Sequence, residues 1–410
     1  MKERHPPALS AAHQVQLLQG GKEFFPELVR ALDQCVHEVR METYIFNADP
    51  SGELVVAALV RAARRGVAVY LVIDGVGTPA LSQELAERFD QAGVKWRIYK
   101  PLGWVGLLIP NRWRRMHRKL VVVDGQMAFC GGINILDDWV DPNYGQLTAP
   151  RFDFAVRVTG PLVRSAHEVM VRFWWRLHAA SDARHADFPA AWHDLEEAVR
   201  QARPDHPGKR AAVSTGDNAG TRAALLLRDN LRNRSRIERA YRRAISNARE
   251  EIIIANAYFV PGHKLRKALI HAAKRGVRVR LLLQGRYEYF MQFHAVRMVY
   301  GVLLNAGIEI HEYSPSFLHA KVAVIDGHWA TIGSSNLDPL SMLLAREANV
   351  LVDDAPFAQD LRERLIRAME QEGVRVDPAS YGKRPWQQRL LDRVAFALMR
   401  FGVFLSGNRY

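Results

Sequence analysis

The chain has 410 residues, 48% of them hydrophobic and 24% charged, which is enough apolar surface for a sizeable core and excludes a disordered chain. Lys and Arg number 57 against 43 Asp and Glu, a net charge of +14, so the surface attracts polyanions: nucleic acid, or the anionic face of a membrane. Cys35 and Cys130 both lie in apolar runs, against a disulfide framework or a thiolate metal site, and fit a reducing compartment. The N-terminal stretch has no signal-type apolar core, and no run reaches the roughly 18 apolar residues of a spanning helix, so a membrane would be met at its surface.

In chain order, residues 25–39 predict an amphipathic helix, 43–46 an apolar strand-like run, and 54–64 a second helix. Then Val67-Ala68-Val69-Tyr70-Leu71-Val72-Ile73-Asp74-Gly75 reads as a buried strand stopped by glycine. Ala92-Gly93-Val94 opens a short strand through Ile98. The same order returns at 236–248 (helix), 252–254 (strand), 265–274 (helix), Val277 to Gly285 (strand), and Ala306-Gly307-Ile308 leading to Tyr313. A unit of helix, strand, helix, strand repeated at an offset of roughly 200 residues predicts an α/β fold of two tandem α/β/α repeats on mostly parallel central sheets. Between the copies Asp, Pro, Gly, Ser and Lys cluster, predicting a linker with one helix around 190–201. The expected division is a first half over 1–178, a linker over 179–221, a second half over 222–380 and a C-terminal segment over 381–410.

Each copy carries one motif. The first reads His117-Arg118-Lys119, four residues, Asp124-Gly125, then Gly131-Gly132-Ile133-Asn134; the second reads His319-Ala320-Lys321, four residues, Asp326-Gly327, then Gly333-Ser334-Ser335-Asn336. The apolar run after each lysine makes a strand, on which His and Lys at i and i+2 share a face. Asp-Gly marks a turn into a second strand that returns the small residues and Asn beside that face. Asp124 and Asp326 stand at odd spacing from the histidines and read as structural members of the motif. A lone His-x-Lys on a strand end is usually a structural histidine; two copies with identical trailing spacing are not explained by packing. An imidazole, an ammonium, an amide and small residues suit a phosphate that must approach closely. One neutral imidazole can attack phosphorus while a second, protonated, serves the leaving alkoxide, and the lysines and asparagines stabilise the equatorial oxygens. Asp74-Gly75-Val76-Gly77 lacks the third glycine of a dinucleotide loop, and the 15 histidines show no zinc-type spacing, so neither a metal nor a cofactor is expected.

The doubled His-x-Lys-x4-Asp motif resembles that of the phospholipase D superfamily, over most of the chain. The resemblance implies that the two halves pack about a pseudo-twofold axis with both motifs at one site, and that the reaction passes through a phosphohistidine without a metal. It implies His117 as the attacking residue and His319 as acid and base, an assignment the residues themselves leave open. Lys119, Lys321, Asn134 and Asn336 are then phosphate ligands, and Ser334 adds a hydroxyl where its counterpart is Gly132. It further implies a carboxylate behind each histidine: Asp153 for His117 and Glu347 for His319, the alternative being surface ion pairs with the neighbouring arginines.

The motifs fit lipid enzymes and nucleases alike. The stretch 101–115 joins apolar residues and Trp104 and Trp113 to a basic cluster, and residues 386–405 alternate apolar side chains and Arg at helical spacing. Both suit an anionic interface, or else packing on the protein body. A third apolar, aromatic run covers 287–304 and could wall a lipid channel. The "ETYIF", "AYFVPG" and "SSNLDP" segments resemble bacterial cardiolipin synthases, their B branch in particular. That resemblance implies phosphatidylglycerol as the partner rather than nucleic acid, and a peripheral place on the cytoplasmic side of the bacterial cell membrane; the oligomeric state stays open.

Overall fold

The computed structural model describes residues 9–101, 113–182, 220–229, 235–288, 290–338 and 344–405, with 196, 233 and 341. In the first half the strands are β1 (Ser10–Gln19), β2 (Glu38–Thr43), β3 (Ala68–Asp74), β4 (Lys95–Tyr99), β5 (Arg115–Met116), β6 (Lys119–Val123), β7 (Met127–Gly131), β8 (Val140–Asp141), β9 (Gly145–Gln146) and β10 (Phe154–Thr159). Its helices are α1 (Gly20–Gln34), α2 (Pro50–Arg64), α3 (Gln83–Ala92) and α4 (Leu162–Asp182). The second half holds β11 (Thr221–Arg228), α5 (Arg236–Asn247), β12 (Glu251–Asn256), α6 (His263–Lys274), β13 (Arg278–Gln284), α7 (Phe290–Leu304), β14 (Glu309–Tyr313), β15 (Lys321–Ile325), β16 (Trp329–Gly333) and β17 (Ala345–Asp353). It continues into α8 (Ala355–Gln371), β18 (Gly373–Arg375), α9 (Pro378–Gly382) and α10 (Trp386–Leu405).

The fold is α/β, built from the two repeats. Among the described residues, 16 strands form one continuous sheet, in the order β18-β14-β13-β12-β15-β16-β17-β11-β1-β10-β7-β6-β2-β3-β4, with β5 paired to β17. Reading outward from the β11–β1 seam, β17 answers β10, β16 answers β7, β15 answers β6, and β12, β13 and β14 answer β2, β3 and β4, a pseudo-twofold order. The sheet is mixed, not mostly parallel as the helix–strand alternation suggests. Among the described residues, parallel ladders run only through β2-β3-β4, β12-β13-β14 and the short β5–β17 pair. The motif strands are hairpins, and a tight hairpin joins antiparallel strands without a crossover helix. The first helix also ends earlier than its apolar pattern suggests, at Gln34; from Glu38 onward the alternation Glu-Val-Arg-Met-Glu-Thr forms β2, whose polar residues Arg40 and Glu42 are buried along with Val39 and Met41.

Local chemistry sets the boundaries. Asp49 caps α2 through the Gly52 N–H at 2.9 Å, with Pro50 in its first turn. Asp124-Gly125 and Asp326-Gly327 are left-handed at both positions (φ 50° and 64°; 49° and 65°), the twist a two-residue hairpin needs. One hydrophobic cluster is common to both halves and joins Leu120, Val122 and Phe154 to Val322, Val324 and Val350, all buried. Each such side chain contributes about 1.5–3 kcal/mol, so this shared core adds to the attachment of one half to the other.

Candidate active site

Both histidines precede their strands and hang between the halves. The His117 N–H donates to Arg346 O at 3.0 Å, beside the β5–β17 pairing, and the His319 N–H donates to Phe152 O at 2.9 Å. Residues Met116 and Leu318, one step upstream, are tied instead to their own half: Asp74 accepts the Met116 N–H at 2.7 Å, and Gln284 accepts the Leu318 N–H at 3.1 Å. Each imidazole is therefore anchored on one side by its own β3 or β13 and on the other by the opposite half.

The carboxylates follow the same exchange, which corrects the expected pairing. His117 Nδ1 meets both carboxylate oxygens of Glu347 at 3.1 Å, and His319 Nδ1 meets Asp153 Oδ2 at 2.6 Å. Each histidine is thus held by the carboxylate of the other half. Asp153 stands just before β10 and Glu347 is the third residue of β17, near where strand spacing puts them, but the exchange across the seam decides which imidazole they face. A carboxylate only accepts here, so Nδ1 carries the proton and Nε2 is left for substrate. The two settings differ. Glu347 also takes the Ser334 hydroxyl at 2.5 Å, whereas a Cβ on Gly132, the counterpart of Ser334, would lie 2.2 Å from Asp153 Oδ1. The first half has glycine there because the shorter Asp153 occupies that space.

Lys119 and Lys321 are buried, and each ammonium donates to the carbonyl of its own motif histidine, Lys119 at 3.1 Å. Burial and mutual repulsion push Lys119 down to about 7; burial pushes Lys321 down to about 8 against nearby Asp153 and Glu347. Burial lowers His117 despite Glu347; burial and then both lysines hold His319 well below the usual histidine range. Asp153 rises to about 7 for the same desolvation. The site thus brings together groups that lower one another's proton affinity, and an anion bound among them would raise it. His117, His319, Asn134, Asn336 and Asp153 line one cleft of about 780 Å³. Asn134 Oδ1 accepts the Ile45 N–H at 3.2 Å, which fixes its amide. Asp124 lies apart from the cleft: its carboxylate accepts the Val36, His37 and Glu38 N–H groups at 2.8–2.9 Å, and Asp326 does the same for Arg249, Glu250 and Glu251 at 2.9–3.0 Å. Both staple the turn to the strand beside it.

Several residues at the site lie outside the motifs. Tyr44 stands edge-on to His117, with ring centres 4.8 Å apart, and under Lys119. Tyr258 donates to Glu288 at 2.8 Å, and Arg151 pairs with Asp141 at 2.5 Å; all four line the cleft. A buried Arg118–Glu42 pair at 2.8 Å lies behind His117, and burial raises Glu42. For Asp74 and Gln284 a signal existed: each ends the repeated strand immediately before a glycine.

Most of the 101–115 stretch and the 190–201 helix lie outside the described residues. Helix α10 turns Asp392, Ala395 and Met399 inward and leaves Trp386, Leu390, Leu391, Val394 and Leu398 exposed; Asp392 meets His294 of α7 at 2.8 Å. Met399 and Met291 line the cleft, so the run over 287–304 does reach it. No helix among the described residues is long and apolar enough to cross a membrane.

Residues 28–146 and 241–369 match the family described as "Cardiolipin synthase, PLD-like domain". The chain is 37% identical over 404 residues to Cardiolipin synthase B of Salmonella typhi, covering 96% of this chain and 90% of that one. It is 36% identical, with the same coverage, to Cardiolipin synthase B of Escherichia coli (strain K12). Among solved structures the fold is similar to that of phosphatidylserine synthase from Haemophilus influenzae Rd KW20, with a TM-score of 0.66, 13% identity, and 98% and 97% of the two chains covered. With a family match in each half and relatives aligned along nearly its whole length, the chain belongs to the cardiolipin synthases of the phospholipase D superfamily and is a phosphatidyl-transferring enzyme.

Proposed function

We propose that the enzyme moves a phosphatidyl group from one phosphatidylglycerol to the hydroxyl of another through a phosphohistidine on His117, releasing glycerol. One observation carries the reading: two imidazoles with Nδ1 engaged by carboxylates line a single cleft, leaving both Nε2 atoms for substrate. In the first step neutral His117 Nε2 bonds to phosphorus, the bond to the glycerol oxygen breaks, and protonated His319 gives that oxygen its proton. In the second the acceptor hydroxyl passes its proton to His319 while its oxygen displaces His117 from phosphorus. Lys119, Lys321, Asn134 and Asn336 hold the phosphoryl oxygens. Two ammonium groups beside one phosphate supply the positive charge that metal ions give elsewhere, so the step is written without a metal. The negative charge of the bound diester raises His319 toward the protonated form that the first step requires.

A phospholipid substrate supports a place at a membrane surface. The exposed apolar row of α10, flanked by Arg389 and Arg393 and adjoining the cleft through Met399, is suited to lie on an anionic leaflet, peripherally and on the cytoplasmic side. The test is pure enzyme with labelled phosphatidylglycerol vesicles and a plasmid in the presence of a chelator. Labelled cardiolipin with glycerol is expected. Phosphatidic acid alone would make the enzyme a hydrolase, and a nicked plasmid a nuclease. His117→Ala is expected to abolish turnover while vesicle binding persists.

A further inference from the structure

The reacting groups repeat across the pseudo-twofold, so whatever breaks that symmetry inside the cleft distinguishes the molecule arriving from the molecule leaving. Around His117 the lining holds aromatic and apolar residues together with Arg115 and Asn134, and Glu347 behind the ring is engaged by the imidazole and Ser334. Tyr44 packs on the ring, Gly77 lies against Tyr44, Val76 and Trp113 line the wall, and Ala345 pairs with Arg115 across β5–β17. Around His319 it is polar. Arg151, two residues before the carboxylate of His319, is held by Asp141 at 2.5 Å and by Val140 O at 3.1 Å. Glu288 takes the Tyr258 hydroxyl at 2.8 Å, and its backbone carbonyl takes the Tyr144 hydroxyl at 2.6 Å. The β8–β9 hairpin of the first half, which carries Asp141 and Tyr144, is thereby locked onto the loop of the second half that carries Glu288.

A carboxyl group in a cleft for an anionic diester needs a reason. Burial, and then nearby Asp141, raise Glu288 above the ordinary glutamate range, against the Tyr258 bond and Lys321. A phosphodiester offers oxygen acceptors and no donor, so an ionised Glu288 gains no hydrogen bond from it. Asn336 poses the same question independently. It is 3% exposed and lines the cleft, yet its Oδ1 has no hydrogen-bond partner among the described residues. A buried acceptor without a donor is costly, and the chemistry that would satisfy both groups is a ligand with hydroxyls.

We propose that Glu288 and Tyr258, beside His319, form a subsite for the hydroxylated headgroup of the acceptor and select a polyol over a simple alcohol or water. The assignment rests on the phosphatidyl-transfer reading above, with His319 as the base of the second step. One headgroup hydroxyl donates to Glu288. A neighbouring hydroxyl gives its proton to His319 while its oxygen bonds to phosphorus and the His117 Nε2–P bond breaks, which regenerates neutral His117. Tyr258 acts on the acceptor by aiming the Glu288 carboxylate.

The test offers phosphatidylglycerol vesicles to the full chain with labelled glycerol and labelled 1-propanol in competition, and reads the ratio of the two labelled lipids. That ratio does not depend on the fraction of enzyme that is folded. Wild type should favour glycerol, and Glu288→Gln and Tyr258→Phe should each lower the glycerol-to-propanol ratio about tenfold, the worth of one good hydrogen bond to a charged group. An unchanged ratio in both variants, with wild type forming cardiolipin, overturns the subsite and leaves the transfer reading intact. A wild type that forms neither cardiolipin nor labelled lipid overturns both.

Discussion

The crossed carboxylates give the sharpest experiment. At 3.1 Å and an effective dielectric constant of about 20, a carboxylate stabilises an imidazolium by about 5 kcal/mol. That bounds the effect of removing the Glu347 charge at about four decades in rate, and the amide of Glu347→Gln returns part of it by still accepting from Nδ1, so a loss of about 10²–10⁴-fold is expected. Because Glu347 faces His117 and Asp153 faces His319, the two neutralising variants should fail at different steps. With phosphatidyl-p-nitrophenol, whose leaving group needs no proton, Asp153→Asn should still release a burst of p-nitrophenol and accumulate phosphoenzyme. Glu347→Gln should lose the burst. Rapid-quench measurement of both quantities decides the matter. A burst kept by Glu347→Gln and lost by Asp153→Asn would refute the exchange of carboxylates between halves, or the choice of His117 as nucleophile.

Three further outcomes follow from the same coordinates. Asp74→Ala strands the Met116 and Val76 N–H groups, about 1–3 kcal/mol each, and should lower both kcat and the urea midpoint, whereas Asp74→Asn, which keeps an acceptor, should recover most of kcat. At pH 8.5 the depressed lysines, near 7 and 8, are largely neutral; an anionic ligand raises both, so binding of a short-chain phosphatidylglycerol should take up protons. Calorimetry in two buffers of different ionisation enthalpy measures this uptake, and proton release would contradict the lysine assignment. The combined change Trp386→Ser, Leu390→Ser and Leu398→Ser removes three exposed apolar side chains from α10 and should weaken sedimentation with anionic vesicles at least tenfold, on the order of 1.4 kcal/mol or more.

Much of the molecule can be read from its residues, because the duplication lets each half check the other. The paired Val67–Gly75 and Val277–Gly285 strands, the Asp-Gly turns and the two motifs all stand where periodicity and turn chemistry put them. Two kinds of fact are not local. The pairing of β6 with β2 and of β7 with β10, both antiparallel, depends on which neighbours a buried strand meets, and uniformly apolar runs such as Leu120 to Val123 carry no direction. The partner of Asp153 is decided by an exchange of chain between halves, through the Phe152–His319 and Arg346–His117 hydrogen bonds, and no spacing along the chain encodes it. Glu288 and Tyr258 lie in the 287–304 run and the "AYFVPG" segment, 30 residues apart, and no local spacing encodes their pairing.

The seam between β1 and β11 has a kinetic side. Each half brings an imidazole whose supporting carboxylate and backbone carbonyl belong to the other, so a half that has folded alone holds a histidine aimed at nothing. Competence therefore arises in one event, when the two lobes dock, and during refolding the reappearance of turnover should trail the recovery of secondary structure and coincide with closure of the shared core.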